Sequence, residues 1–154
     1  MGRRDDFASE FEAAFARLQV RIEEACGIDA GWPDRTAGAI RAALEFSAAD
    51  PRAAQLLTSE ALARGPDGFA RYDRLLAYLG ELLAQGRAQR IEAERLPEIT
   101  ERAMAGGLAG LIAQRVDQGS EAELPALAEE AIQFVLTPYL GAEEAQRVAA
   151  AGTA

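Results

Sequence analysis

The stretch LPEITERAMAGGLAGLIAQRVDQGSEAELPALAEEAIQFVLTPYL, residues 96–140, decides the fold. Its first half places Ala103, Gly107 and Leu111 at i, i+4 and i+8, with Met104, Leu108 and Ile112 on the adjoining line. A helix with that spacing carries apolar or minimal side chains over more than half its circumference, too much for one resting on a single neighbour. Gly106, Gly107 and Gly110 each cost about 1 kcal/mol of helix propensity relative to Ala. Close packing against a second helix is what offsets such a loss. After a short polar break the theme returns in Leu127, Ala131, Phe134, Val135 and Pro138. The two helices are therefore expected to be core on one side and subunit interface on the other. Ala103, Gly107, Leu111, Leu127, Ala131, Phe134, Val135 and Pro138 are the expected interface residues.

Outward from this stretch the apolar spacing stays helical. Phe7, Phe11 and Phe15 with Ala14, Leu18, Ile22 and Ala25 step by three and four, predicting a helix that Gly27 closes. Pro33 sits at the first position of the next helix, where its missing N–H costs nothing, and Ala37, Ile40, Leu44 and Ala48 form that helix's apolar face, with Phe46 on the flank. Asp50-Pro51 restarts the pattern as N-cap and N1, leading into Ala54, Leu57 and Ala61. The segment RGPDG at 64–68 is either a loop or a kink. Beyond it Phe69, Tyr72, Leu75, Leu76, Leu79, Leu82 and Leu83 make a strongly amphipathic helix up to Gly86.

Residues 86–96 are polar and form a linker or a short helix. Leu96-Pro97 opens the fifth helix by the N1 rule, and Gly119 closes it. Ser120 with Glu123 resembles a capping box, while Pro125 equally suits the start of the sixth helix. Pro138 is expected to bend or end that helix, Gly141 to cap it, and residues 142–150 to add a weak final turn or two. No alternating β-type run occurs. The expected fold is all-α: an antiparallel bundle of about six main helices in a single domain, residues 1–154.

Charge and composition narrow the function. There are 16 basic and 25 acidic residues, giving −9, and no histidine. A net acidic, mixed surface repels a phosphate backbone, so no DNA binding by this chain alone is expected. Without His and with Cys26 alone, neither a Ser-His-Asp or Cys-His arrangement, a His-based zinc site nor an internal disulfide is available. The carboxylate pairs Glu23-Glu24, Glu129-Glu130 and Glu143-Glu144 are adjacent in helices and do not face each other. The GGLAG segment at 106–110 lacks the spacing and preceding strand of a phosphate loop. No catalytic residue, metal or cofactor is assigned. No window approaches 18 apolar residues, no secretory h-region opens the chain, and Asp6 stands where a myristoylation signal wants Ser or Thr. A cytoplasmic protein without membrane association is expected.

The aromatic residues cluster in the first four helices: Phe7, Phe11, Phe15, Trp32, Phe46, Phe69, Tyr72 and Tyr78. Such side chains either fill a core or, beside many alanines, line an apolar cavity with a few polar handles. The cavity version predicts a space of a few hundred Å³ bordered by Phe15, Ile22, Cys26, Phe46, Leu57, Tyr72, Leu75 and Leu79. Cys26, Arg41, Thr58, Tyr72 and Tyr78 are the candidate handles.

Three segments then stand out together: WPDRTAGAIRAALEFSAADPRAAQLLTSEALARGPDGFARYDRLLAYLGELLAQGRA, LPEITERAMAGGLAGLIAQRV and LPALAEEAIQFVLTPYLG. Trp32-Pro33 and Asp50-Pro51 opening successive helices, the Glu60-Ala61 region, Gly106-Gly107, and the run from Phe134 to Pro138-Tyr139-Leu140 give them an order and spacing. This order resembles the C-terminal ligand-binding and dimerisation domain of tetracycline-repressor-type (TetR) transcriptional regulators, over residues 7–150 or so. The resemblance implies a homodimer built as a four-helix bundle from residues 97–116 and 125–139 of two copies, and a small hydrophobic effector held among residues 7–83. In that family a helix-turn-helix module precedes the first helix seen here. No such pattern can be placed in MGRRDDFASEFEAAF, so the family's DNA-binding role falls on no residue of this chain. A dimeric scaffold without a ligand is the alternative function, and a small helical enzyme a further one.

Overall fold

The computed structural model of the chain describes residues 2–27 and 29–152. The Phe7, Phe11, Phe15 run winds into α1 (Arg3–Ala25), which buries these rings with Ala14, Leu18 and Ile22. After the turn around Ala30, α2 (Trp32–Ala49) starts with Pro33 in its first turn. Asp50 ends α2 and caps α3 (Pro51–Leu57), its carboxylate accepting the Ala53 N–H at 3.0 Å. At Thr58 the helix breaks (φ −122, ψ −96), and α4 (Ser59–Ala63) follows in a new direction. Gly65, at φ 75, then turns the chain straight into α5 (Gly65–Ala84). That left-handed backbone is accessible to glycine at no steric cost, so RGPDG is a one-residue corner between abutting helices.

The segment after α5 is structured throughout. A 3₁₀ helix at Gln85–Gln89 leads into the single turn α6 (Ile91–Glu94). Arg87 pins it down: Nε and Nη2 donate to the Glu101 carboxylate, Nη1 to the Leu96 carbonyl and Nη2 to that of Pro97. Gly86 lies flat against the indole of Trp32, where a Cβ would collide with the ring, and the indole N–H donates to Leu82 O at 2.8 Å.

Pro97 does not open the next helix. Residues 97–100 make a turn, with both the N–H and the hydroxyl of Thr100 on Pro97 O, and α7 (Thr100–Asp117) begins three residues later than expected. The Ser120–Glu123 capping box does not form, because the Glu123 carboxylate pairs with Arg115 instead, at 2.6 Å. A 3₁₀ helix, Glu121–Leu127, holds Pro125 inside it and passes into α8 (Ala128–Leu140). Pro138 neither bends α8 to a stop nor ends it; the helix runs on to Leu140. The tail is a full helix, α9 (Ala142–Ala151), that buries Ala145, Val148 and Ala149 against α8.

The chain is thus 86 % helical with nine α-helices and no strand among the described residues, rather than about six. The extra ones come from the break at Thr58, from α6 and from α9. Two apolar clusters hold the helices. One gathers α2, α8 and α9 around Trp32, Leu44, Ile132, Leu136 and Tyr139; the other gathers α1, α3 and α5 around Phe11, Ile22, Leu57, Leu75 and Leu76. No helix is long and apolar enough to cross a membrane among the described residues. The two helices of residues 96–140 serve different neighbours: α7 lies on α5 and α3, α8 on α9 and α2. Ala131 and Val135, expected at a subunit interface, are buried in the chain's own core, at 7 % and 1 % exposure.

Candidate ligand cavity

Between the two clusters the helices enclose a cavity of ≈ 100 Å³. Its walls are helical stripes. Leu18, Ile22 and Cys26 come from α1 and the residue that ends it; Thr36, Ala39, Ile40, Ala43, Phe46 and Ser47 come from one side of α2. Ala54, Leu57 and Thr58 close the α3 side, Leu75, Leu79, Leu82 and Leu83 the α5 side. The fifth wall is α7, through Met104, Ala105, Leu108, Ala109 and Ile112, with Val135 of α8 behind it. Alanine explains the void. At Ala39, Ala43, Ala54, Ala105 and Ala109 each helix offers a single methyl group where longer side chains would interdigitate, and the larger side chains around them cannot collapse inward far enough to fill the gap.

The wall is almost wholly apolar, and most of its polar atoms are committed. The Ser47 hydroxyl donates to Ala43 O at 2.8 Å and that of Thr58 to Ala54 O at 2.7 Å, each one turn back in its own helix. Thr36, 6 % exposed, makes no hydrogen bond through its hydroxyl among the described residues. At the end nearest solvent stand Cys26, Arg35 and Gln85. Arg35 donates through Nη1 to Ala30 O (3.0 Å) and through Nη2 to Gln85 Oε1 (3.3 Å). The Cys26 thiol donates to Arg35 O at 3.5 Å. Burial pushes the Cys26 thiol above its ordinary pKa, with Arg35 opposing and Glu23 adding to the rise. A thiol so placed stays protonated at neutral pH and is a weak nucleophile.

Of the residues expected to line a cavity, Ile22, Cys26, Phe46, Leu57, Leu75 and Leu79 do so. Phe15 and Tyr72 do not. Phe15 packs edge-on against Tyr78, ring centres 5.6 Å apart, beneath the Arg74 guanidinium; Tyr72 is buried in the same cluster. Burial pushes the pKa of both Tyr72 and Tyr78 upward. Arg41 points away, its guanidinium on Ala149 O of α9 at 2.8 Å. The space is also smaller than the few hundred Å³ expected of a ligand site, since Phe46, Met104 and the α5 leucines crowd it. Sequence periodicity did not single out Arg35, Thr36, Ser47 or the α7 wall. The signal was present as the 36-40-43-47 and 105-109-112-116 stripes, but α7 carries two small-residue lines, and the glycine-bearing one drew the interface assignment.

A second hollow, an open groove of ≈ 460 Å³ beside Arg17, Val20, Arg21 and Glu24, is mostly exposed to solvent and encloses nothing. Among the described residues no cluster of His, Cys, Asp or Glu has the makings of a metal site. What the fold and site define is an all-helical protein with a small, largely apolar cavity open at one end. No family model, no curated protein and no solved structure matches the chain.

Proposed function

We propose that this chain is the effector-sensing and homodimerising part of a TetR-like transcriptional regulator, responding to a small apolar molecule. The observation that carries the sensing half is the largely apolar, partly open cavity, ringed by alanines, with the Thr36 hydroxyl unpartnered on its wall. The dimerising half draws support from the outer line of α7: Ala103, Gly107 and Gly110 are exposed, and a Cβ at Gly107 or Gly110 would meet nothing within 4 Å. Phe134 on α8, 60 % exposed, extends the apolar surface. A face of this kind suits an isologous contact with a second copy. With its net charge of −9 the chain contributes sensing and dimerisation, and not DNA contact.

The scaffold reading keeps one observation in its favour, the cavity's modest ≈ 100 Å³. Thermal unfolding in the presence of small apolar molecules, such as pentane and 2-methylbutane, separates the two. A ligand present at 100 times its Kd adds about 2.7 kcal/mol of stability. Sensing predicts such a shift in the wild type and its loss in Ala109→Leu, which fills the cavity and by itself stabilises the fold by about 0.5–2 kcal/mol. A panel without any shift would leave the scaffold reading in possession.

A further inference from the structure

Arg35 is the one charged side chain on the cavity wall, and it has no acid. In a chain with 25 acidic and 16 basic residues, Arg52, Arg74, Arg87 and Arg115 sit on carboxylates, whereas Arg41 and Arg90, like Arg35, are held by neutral oxygens; of these, Arg35 alone borders the cavity. Arg35 forms no ion pair among the described residues; both its partners, Ala30 O and Gln85 Oε1, are neutral. Those two bonds hold the guanidinium in place and use one N–H on each terminal nitrogen. Three of its five donors remain. A planar fork held this way is suited to a carboxylate, which takes two parallel N–H bonds.

The neighbouring groups have the same bias. Arg35 lies in the first turns of α2, near the helix end that carries the positive partial charge. Thr36, the next residue, faces another direction around the helix, and its hydroxyl is unpartnered among the described residues. Glu23, whose charge acts on Cys26 and Tyr78, makes no ion pair with Arg35. Asp34, in the same first turn, is exposed. Beyond this polar end the wall is apolar apart from Ser47 and Thr58, whose hydroxyls are bonded within their own helices.

We infer that the cavity takes a small monocarboxylic acid, its carboxylate on Arg35 at the mouth and its short aliphatic tail among the alanines within. This rests on the sensing function proposed above and names the ligand class. Size sets the tail: the ≈ 100 Å³ available is less than the roughly 150 Å³ of a dry cavity that admits benzene, which leaves room for a few carbons, branched or straight. A dicarboxylate would bury a second charge in apolar surroundings without a partner. An amino acid would bring an ammonium group to a wall with no acceptor carboxylate.

Calorimetric titration of the wild-type chain near neutral pH with pentanoate and 3-methylbutanoate, against pentan-1-ol and 3-methylbutan-1-ol, tests this directly. The acids are expected to bind at least tenfold more tightly than the alcohols of the same carbon skeleton. Arg35→Gln should erase that advantage while alcohol binding persists, and Arg35→Lys should keep part of it. Equal affinity for acid and alcohol in the wild type, or an acid preference untouched by Arg35→Gln, overturns the acid assignment and leaves the apolar cavity as the sensor. Binding of neither series removes the sensing function and this inference with it. The wild-type ratio decides even where a variant does not fold.

Discussion

Along α8 the buried positions Ala128, Ala131, Ile132, Val135, Leu136 and Tyr139 make a broad face, and Phe134 is the large side chain left outside. Along α7 a single line is buried, Ala105, Ala109, Ile112 and Val116, and on other sides Ala103, Gly107 and Gly110 face outward. Both helices are rich in small residues, yet only one of them is enclosed. The difference lies in what is packed across from each. α8 sits between α2 and α9, so its alanines bring those backbones close and its larger residues interlock around them. α7 has α5 and α3 on one side, while a Cβ at Gly107 or Gly110 would meet nothing within 4 Å among the described residues. Small residues permit close packing; they do not supply the neighbour.

The sharpest way to break this comparison is to truncate one residue on each helix. Tyr139 is fully buried and packs against Trp32 with ring centres 5.1 Å apart. Tyr139→Ala is expected to cost about 4 kcal/mol in urea unfolding. Leu111→Ala, half-buried on α7, should cost less than about 1.5 kcal/mol. Equal costs would mean that α7 is as enclosed as α8.

A second experiment concerns the polar tie between the two helices. Glu101, in the first turn of α7, accepts Arg87 at 2.7 Å and the Tyr139 hydroxyl at 3.3 Å. Burial alone would push its pKa up, but the Arg87 hydrogen bonds and charge, with the Tyr139 bond, prevail and hold it below the ordinary carboxylate value. On the other side of the tie, burial and then the Glu101 charge push the Tyr139 phenol upward. A depressed acid stabilises the fold above its unfolded-state pKa, about 4.3, and the contribution is lost as pH falls through the lower folded value. Glu101→Gln should therefore lower stability by about 1.5 kcal/mol at neutral pH, and the gap to wild type should close below about pH 4. A gap that stays constant down to pH 3 would show that the carboxylate's charge is not what matters.

The smallest effects lie on the open line of α7. Gly110→Ala should raise thermal stability by about 0.8 kcal/mol, the helix propensity of alanine unopposed by any clash. Gly107→Glu should leave the fold of one chain intact, since a Cβ there meets nothing within 4 Å. Multi-angle light scattering at micromolar concentration is then informative. The dimer proposal requires a two-chain mass for the wild type and a one-chain mass for Gly107→Glu; a one-chain wild type, or a variant that stays paired, moves the contact elsewhere or removes it.

Much of the fold was legible because its signals are local. The 3.6-residue apolar period needs no partner to be read, and a proline at N1 acts through its own missing N–H, which is why Pro33 and Pro51 marked their helices well. Where competition between partners entered, local signals misled. Pro97 became part of a turn, Glu123 left Ser120 for Arg115, and the polar segment 85–96 was ordered by Arg87 reaching across to Glu101. The α9 pattern was weak as sequence and strong as structure, because burial of Val148 and two alanines against α8 supports a helix whose propensity alone would leave it marginal.

By itself, then, the sequence determined an all-helical chain, the apolar faces of α1, α2 and α5, and six of the residues around the cavity. Tertiary structure alone decided which of the two small-residue lines of α7 turned inward, that Phe15 and Tyr72 belong to packed core, and that Arg35 ends at the cavity mouth without a carboxylate. The physical reason is that helical periodicity records the direction in which a side chain points. What it meets there depends on a second helix, brought alongside by packing over the whole molecule.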